Sequence, residues 1–479
     1  MGVGAVPHTA SGLILDGESL SIRDGRLLVE GIEASSLARR FGTPLYIESE
    51  AQLRSNARRF TEALRAAWPV GPIHVLPSLK ANFSLATRCI LSEEGMGCDT
   101  FGAGEFSIAL RCGVPPELIS VNGSIKDVDL VTEAIAAGAR ITLDSERELD
   151  LVTEAASGLG KRARIRLRIR PDYIELDGPT DFVEDEMSVR EAADAYKAGI
   201  PMSDIEAMGK RALASDDVEL TGLMAHLGRH RADLDTWRGM VVAFVRSMAS
   251  LSTAWGGWLP HEIDLGGGYA VRRDPTGRLI PRLAHRHEAA PSVEAYCGLL
   301  GESLRVEMEA HDLPCEGVAL EIEPGRSMYA DTGIHLTTVR NIKHQGGSSP
   351  RTWVETDTTE MFLIDSLIEH NRWVPLVCDR AEAPPTQTVD LVGKSCGFDV
   401  LAPSVELPDV QVGDVVAVLD TGAYADATST NFNVLPRPAT VLVNGDRAEL
   451  IKRAETIQDV LRRDVIPARF SVAAGGPRG

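Results

Sequence analysis

Eight short β-like runs between residues 73 and 325, mostly separated by helix-like stretches, constrain this chain more than any other feature. They are IHVLPSLK (73–80), GCD (97–99), ISVNG (119–123), ITLDS (141–145), RIRLRI (164–169), LTGLMAHLG (220–228), EIDLGGG (262–268) and ALEIEPG (319–325). Segments between them, such as IKDVDLVTEAIAAG and SVEAYCGLLGESLRVEMEA, carry apolar residues at spacings of three and four, the period of an amphipathic helix. Strands joined by helical crossovers lie parallel, and eight such units close into a (β/α)8 barrel. The run GCD is the shortest and gains its place only from the other seven.

The expected fold is therefore α/β: a (β/α)8 TIM barrel over residues 46–326, entered by the helix EAQLRSNARRFTEALRAAW, with a separate C-terminal β domain, barrel or sandwich. GIHLTTVRNIK, TWVETDT, WVPLVCD, TVDLVGKSC, VVAVLDTGAY and PATVLVNGD supply that domain over 327–479. The hairpin texture of GLILDGESLSIRDGRLLVEG assigns residues 1–45 to the same domain. The stretch ELDGPTDFVEDEMSV, within 172–216, is too polar for core and reads as an excursion over the barrel mouth.

Charge excludes some functions. With 69 acidic and 49 basic residues, the formal charge of −20 repels nucleic acid and anionic membrane surfaces. The N-terminus has no basic segment leading into an apolar one, and no 18 apolar residues run together, so a cytoplasmic location is expected. The seven cysteines are irregularly spaced, lack a C-x-x-C pair and read as reduced thiols. His285 and His287, beside Arg282 and Arg286, come nearest to a metal cluster but read better as a solvated loop; no metal is expected.

A barrel of this kind gathers its chemistry where strands end. Lys80, Asp99, Asn122, Asp144, Arg170, His226, Gly266-Gly267-Gly268 and Glu323-Pro-Gly325-Arg326 would all face one mouth. Asp144-Ser145 is explained as a helix N-cap with Glu148 at the capping-box position. The convergence of lysine, histidine, glycine run and glutamate fits pyridoxal phosphate. A partly desolvated lysine holds it as a Schiff base, glycine backbone approaches the phosphate, and a carboxylate keeps the ring nitrogen protonated.

PSLKAN, GCDTFGAGEF, VNGSIKD, ITLDSERELDLV, AHLGRH, DLGGGYA, EIEPGRS, GKSCGFDVL and DTGAYADATSTNFN, in that order from about residue 40 to about residue 445, resemble the alanine-racemase-fold (fold type III) decarboxylases of diaminopimelate, ornithine and arginine. The resemblance implies Lys80 as the Schiff-base lysine, His226 stacked on the ring and Glu323 at the pyridine nitrogen, with Asp99 beside the cofactor. It implies a phosphate site from Gly266, Gly267, Gly268, Gly325, Arg326 and Tyr424. It also implies a homodimer with shared active sites, in which Cys396 and the acidic Asp399 come from the second chain. The implied reaction removes the α-carboxylate through a Lys80 aldimine and a quinonoid that Cys396 reprotonates.

Three departures bear on the substrate, an amino acid either free or carrier-linked. Arg229 stands where the family has a serine, and Cys396-Gly-Phe-Asp399 is one residue short of the family's Cys-x-x-x-Asp. LIDSLIEHNRW replaces the Arg-Pro-x-x-Tyr of the diaminopimelate enzymes, placing Asp365 near that arginine's position and Glu369 near the amine-binding aspartate of ornithine decarboxylases. Asp365, Glu369, Asp399 and Arg229 are thus the expected substrate contacts, and a substrate other than diaminopimelate is expected. A racemase on the same fold, a non-catalytic regulatory paralogue and a simple cofactor-binding protein remain open alternatives.

Overall fold

The computed structural model describes residues 19–174, 176, 188–226, 232–271, 290–368 and 373–470. Its centre is a parallel barrel of β1 (Ile73–Val75), β2 (Cys98–Thr100), β3 (Ile119–Val121), β4 (Arg140–Leu143), β5 (Ala163–Arg170), β6 (Val218–Met224), β7 (Glu262–Asp264) and β8 (Ala319–Ile322). They hydrogen-bond in the order β1-β8-β7-β6-β5-β4-β3-β2, and a parallel bridge between Ser78 and Asp99 joins the extension of β1 to β2. Each expected run supplies one strand, the shortest included.

The helices between them follow from local chemistry. Glu146–Leu159 begins at Ser145, whose hydroxyl accepts the Glu148 N–H, and ends at Gly160 in the left-handed conformation (φ +59°). Its buried Leu149, Val152 and Ala156 recur at spacings of three and four and face the strands. The Glu148 carboxylate accepts the Asp144 N–H at 2.8 Å and pairs with the buried Lys126 at 3.1 Å. Ser145 is therefore the N-cap, but Glu148 takes the N–H of Asp144 rather than that of the cap residue, and the Asp144 carboxylate accepts the Gly199 N–H at 2.6 Å.

Strand alternation divides each barrel strand between two environments. On β5, Ile165, Leu167 and Ile169 join the core beneath the outer helices, as do Ile263 on β7 and Leu320 and Ile322 on β8. The other face turns polar groups inward, where they meet across the lumen. Arg166 of β5 reaches Glu321 of β8 at 2.5 Å and Asp264 of β7 at 2.9 Å. Arg140 of β4 pairs with Glu262 of β7 at 2.5 Å and also with Glu321, which in turn contacts His74 Nδ1 of β1 at 2.7 Å. Apart from the His74–Glu321 contact, which joins the neighbours β1 and β8, these contacts connect strands that are not sheet neighbours, so they cross the barrel interior. Branched apolar side chains usually fill this space; here an ionic network does.

The second domain is a nine-stranded sheet with the path 400–407, 387–392, 351–356, 333–345, 45–49, 439–444 and 447–452, from which 415–419 and 375–377 branch. Leu45–Ser49 is its N-terminal contribution, and the expected boundary at residue 46 falls inside this strand. The hairpin Leu20–Arg23/Arg26–Val29, turning through Asp24 and Gly25 at positive φ, forms its own three-stranded sheet with Ile32–Glu33. It packs on the larger sheet, Leu27 and Val29 sharing a core with Ile334 and Leu336, without entering its ladder. Of 172–216, residues 175 and 177–187 lie outside the described residues; the rest includes Val189–Ala195 and the barrel helix Met202–Leu213. No helix among the described residues is long and apolar enough to cross a membrane.

The lumen network makes a stability prediction. Burial pushes the Glu321 carboxyl up, but Arg140, Arg166 and His74 outweigh it and hold its pKa well below the usual carboxylate range. A carboxylate depressed in the folded state stabilises above its unfolded pKa of about 4.3 and loses that contribution as pH falls below it. Glu321→Gln should therefore cost about 3–5 kcal/mol at neutral pH, because two buried guanidinium groups lose their shared counter-charge. Urea unfolding should show this difference shrinking below about pH 4; a neutral-pH loss under about 1 kcal/mol would be surface-like and contradict a supporting role.

Candidate active site

The mouth is knitted together beyond the named strands by backbone hydrogen bonds. Ser78 N–H donates to Pro324 O at 3.1 Å, Leu79 N–H to Asp99 O at 3.2 Å, Asn122 N–H to Thr100 O at 2.8 Å and Glu323 N–H to Gly266 O at 2.8 Å. These bonds bring the ends of β1, β2, β3, β7 and β8 into one surface. Tyr424 arrives from the second domain, its N–H donating to Ala81 O at 2.8 Å, one residue from Lys80. It holds φ at +55°, a conformation costly for a bulky residue and found where surrounding contacts demand it.

Lys80 makes no hydrogen bond among the described residues. Its side chain reaches solvent, and the charges of Asp99, Tyr424 and Glu323 act on its ammonium. Partial desolvation pulls the lysine pKa down, but the charge of Asp99, with Tyr424 and Glu323, outweighs it and the net direction is up. The amine is therefore held as a cation beside the Asp99 carboxylate. Asp99 is fixed by Ser78 Oγ at 2.5 Å and by Asn122 Nδ2 at 2.6 Å. Asn122 Nδ2 also donates to Glu323 Oε1 at 2.7 Å, so one amide spans the two carboxyl groups.

Glycines occupy the places where side chains cannot fit. A Cβ on Gly267 would lie 2.1 Å from Glu323 O, and one on Gly266 would lie 2.9 Å from His226 Cα. Gly266 and Gly268 have φ of +66° and +104°, open to glycine at little cost. A Cβ on Gly325 would come within 3.0 Å of the Tyr424 hydroxyl. The result is a cradle of backbone with a phenol at its rim. Together with an amine at Lys80 and a buried carboxyl at Glu323, this donor set fits pyridoxal phosphate.

Other expected site residues are placed differently. Arg326, assigned to the phosphate, forms a buried ion pair with Asp365 at 2.7 Å, and its guanidinium lies 5.0 Å from the Tyr424 ring centroid. Asp365, assigned to the substrate, is thus the partner of Arg326. Asp399 is buried with φ +45°, and its carboxylate accepts from Thr359 Oγ1 at 3.0 Å, Glu360 N–H at 2.6 Å and Ser395 N–H at 2.6 Å. It shapes its own loop, with both oxygens committed. Cys396 is exposed, its N–H held by Asn433 Oδ1 at 2.7 Å. Arg229 and Glu369 lie outside the described residues, as do His285 and His287.

Sequence reasoning assigned no role to Asn122 and passed over Ser78, Glu105, Arg166 and Asp264. Burial and the charge of Asp99 push the Glu105 carboxyl up to about 7, and it accepts the Phe101 N–H at 2.7 Å. For Arg166 a signal existed. In RIRLRI the apolar face must meet the outer helices, which turns the intervening arginines into the lumen.

Fold and site together define a pyridoxal-phosphate-dependent (β/α)8 enzyme. The family model for the pyridoxal-binding domain of pyridoxal-dependent decarboxylases matches residues 50–330. Diaminopimelate decarboxylase of Zymomonas mobilis is 29% identical over 451 residues, covering 92% of this chain and 97% of that protein. The enzyme of the same name from Aquifex aeolicus is 30% identical over 440 residues, covering 91% and 95%. The crystal structure of diaminopimelate decarboxylase from M. jannaschii superposes with a TM-score of 0.81 at 27% identity, covering 95% of this chain and 99% of that one. A lysine/ornithine decarboxylase from Vibrio vulnificus, at 20% identity and a TM-score of 0.67, shares the fold. The chain belongs to the pyridoxal-dependent decarboxylase family.

Proposed function

We propose that this carboxy-lyase removes the α-carboxylate of an amino acid whose side chain ends in a cationic or neutral polar group, and that free diaminopimelate is not its substrate. Lys80 holds the cofactor through Nζ. The backbone of Gly266–Gly268, Gly325 and the Tyr424 hydroxyl would receive the phosphate, with His226 placed to lie against the ring and Glu323 to face its nitrogen. Bound pyridoxal phosphate supplies the electron sink for the pair left on the α-carbon when CO₂ departs. Glu323 supports that sink by keeping positive charge on the ring nitrogen. A racemase gains from a less protonated ring, so an acid at this position favours decarboxylation.

The observation that carries the substrate reading is the Arg326–Asp365 pair, 2.7 Å apart with both side chains only 3% exposed. The guanidinium next to the Gly325 cradle already has its counter-charge. A distal carboxylate entering there would meet Asp365 as well as Arg326, and desolvating like charges side by side costs several kcal/mol. A CO₂-release screen should therefore favour lysine, ornithine, arginine or amide-extended amino acids over meso-diaminopimelate by ~100-fold or more in kcat/KM, equivalent to about 3 kcal/mol. Asp365→Ala should narrow that gap. Efficient decarboxylation of meso-diaminopimelate by the wild type, in keeping with the names of the relatives, would overturn this substrate reading.

The enzyme is further proposed to work as a homodimer in the cytoplasm. Free thiols at all seven cysteines suit a reducing compartment. The loop carrying Cys396 is braced from within by Asp399 and Asn433, yet it presents Phe398 at 95% exposure. A rigid loop offering an aromatic ring to solvent suits a second copy of this chain, whose mouth would then receive Cys396 as proton donor. Mixing Lys80→Ala with Cys396→Ala subunits should restore about a quarter of wild-type activity, since half the dimers are hybrids with one intact site each. A fully active monomer in ultracentrifugation would rule this out.

A further inference from the structure

Asn122 stands just past β3 and is 5% exposed, with every polar atom of its side chain engaged. Its main chain is fixed first: the N–H donates to Thr100 O at 2.8 Å, and the buried Lys126 ammonium holds the next carbonyl, Gly123 O, at 2.7 Å. Its side-chain Oδ1 accepts from Ser120 Oγ at 3.3 Å, and Ser120 Oγ accepts from Arg166 Nη2 at 2.5 Å. That leaves Nδ2, whose two hydrogens go to Asp99 Oδ1 at 2.6 Å and Glu323 Oε1 at 2.7 Å. Turned over, the amide would set its oxygen against Asp99 and lose both acceptors, so its neighbours decide its orientation. The other Asp99 carboxylate oxygen accepts from Ser78 Oγ at 2.5 Å, and Leu79 N–H donates to Asp99 O at 3.2 Å. A continuous chain of bonds thus runs from the two residues before Lys80, through Asp99 and Asn122, to Glu323.

We infer that Asn122 is a positioning residue for the cofactor: its amide holds the acidic group beside Lys80 and the one past β8 in a single rigid frame, so that the lysine adduct takes one orientation. The assignment rests on the reading of Lys80 and Glu323 as cofactor contacts. Residue type supports it. Aspartate in this place would offer acceptors only, and three acidic groups would crowd one buried spot. A lysine or arginine would satisfy both carboxyl groups but would add a second cation beside Asp99, in competition with Lys80, on which the Asp99 charge acts. An apolar side chain would leave two buried acceptor oxygens without this donor. An amide supplies two donors and no charge. It also serves a carboxyl oxygen whether that carboxyl is ionised or protonated, so the frame does not depend on where protons sit.

Asn122 acts through Asp99 and Glu323, so its loss should spare binding more than turnover. With the amide gone, the two carboxyl groups turn independently, and a reacting group displaced by about 1 Å can cost ~100-fold in rate. Asn122→Ala should therefore lower kcat by about 10–100-fold on the amino acid ranked first in CO₂ release, with KM within about threefold of the wild type.

Visible circular dichroism of the protein loaded with pyridoxal phosphate tests the frame apart from turnover, because a chromophore held in one asymmetric setting gives a signal that mobile packing averages away. Per mole of Lys80 adduct, the signal should fall at least about twofold in Asn122→Ala and further in Asn122→Asp. Asn122→Gln, which keeps both donors on a longer stem, should recover part of it. The near-isosteric aspartate thus ranks below alanine. A space-filling role would rank them the other way, with Asn122→Asp close to the wild type, and that order would overturn the inference. So would an undiminished signal and kcat in Asn122→Ala. Should Asn122→Asp not fold, Asn122→Ala against Asn122→Gln decides: equal signals overturn the frame, and a larger signal in Asn122→Gln supports it. An adduct missing from Lys80 in the wild type would defeat the cofactor-site reading and this inference with it, whereas an adduct on Lys80 with an unchanged signal in Asn122→Ala defeats this inference alone.

Discussion

The pairing of Arg166 with Asp264 and Glu321 inside the barrel is the constraint from which the site follows. A guanidinium without solvent contact is tolerable only if its charge is matched, since an unmatched one costs several kcal/mol. Matching it fixes Asp264 at the end of β7. Asp264 then accepts the Gly266 N–H and sets the turn that opens the glycine run. Gly267 packs against the backbone of Glu323, whose N–H returns to Gly266 O. Removing charge from the lumen would therefore disturb the cofactor cradle as well as the barrel's stability.

A second consequence concerns electrostatics. Acidic groups stand in a row from Asp99 through Glu323 to Asp264, tied by the single amide of Asn122 at one end and by Arg166 at the other. Such a row holds a lysine charged when the site is empty of ligand and favours any cation placed within it. A pyridinium nitrogen is such a cation. The Arg326–Asp365 pair applies the same logic: each charge already has its counter-charge, which underlies the proposed rejection of a distal carboxylate.

The barrel was legible because its strands end in punctuation: glycine, lysine or glutamate after a short apolar run. Even Cys98–Thr100, three residues long, fell in place once seven neighbours set the rhythm. The second domain was harder. Val400–Leu407 contains Pro403 and a bulge at Ser404 (φ +51°), and Arg447–Lys452 is a charged edge strand, so neither has the apolar run of the other strands. Lys80, Glu323 and the glycines could be read from residue type and position. The Arg326–Asp365 pair and the inward role of Asp399 could not, because they depend on which side chains approach across 39 residues in one case and on a buried loop in the other. The local sequence around each carries no mark of its partner.

Lys80 and the acidic row are proposed to form one cofactor site. Borohydride reduction of the protein loaded with pyridoxal phosphate, followed by peptide mapping, tests it most directly. The reduced adduct should lie on Lys80 and be absent from Lys80→Ala. Recovery of the adduct on any other lysine, with Lys80 unmodified, would contradict it.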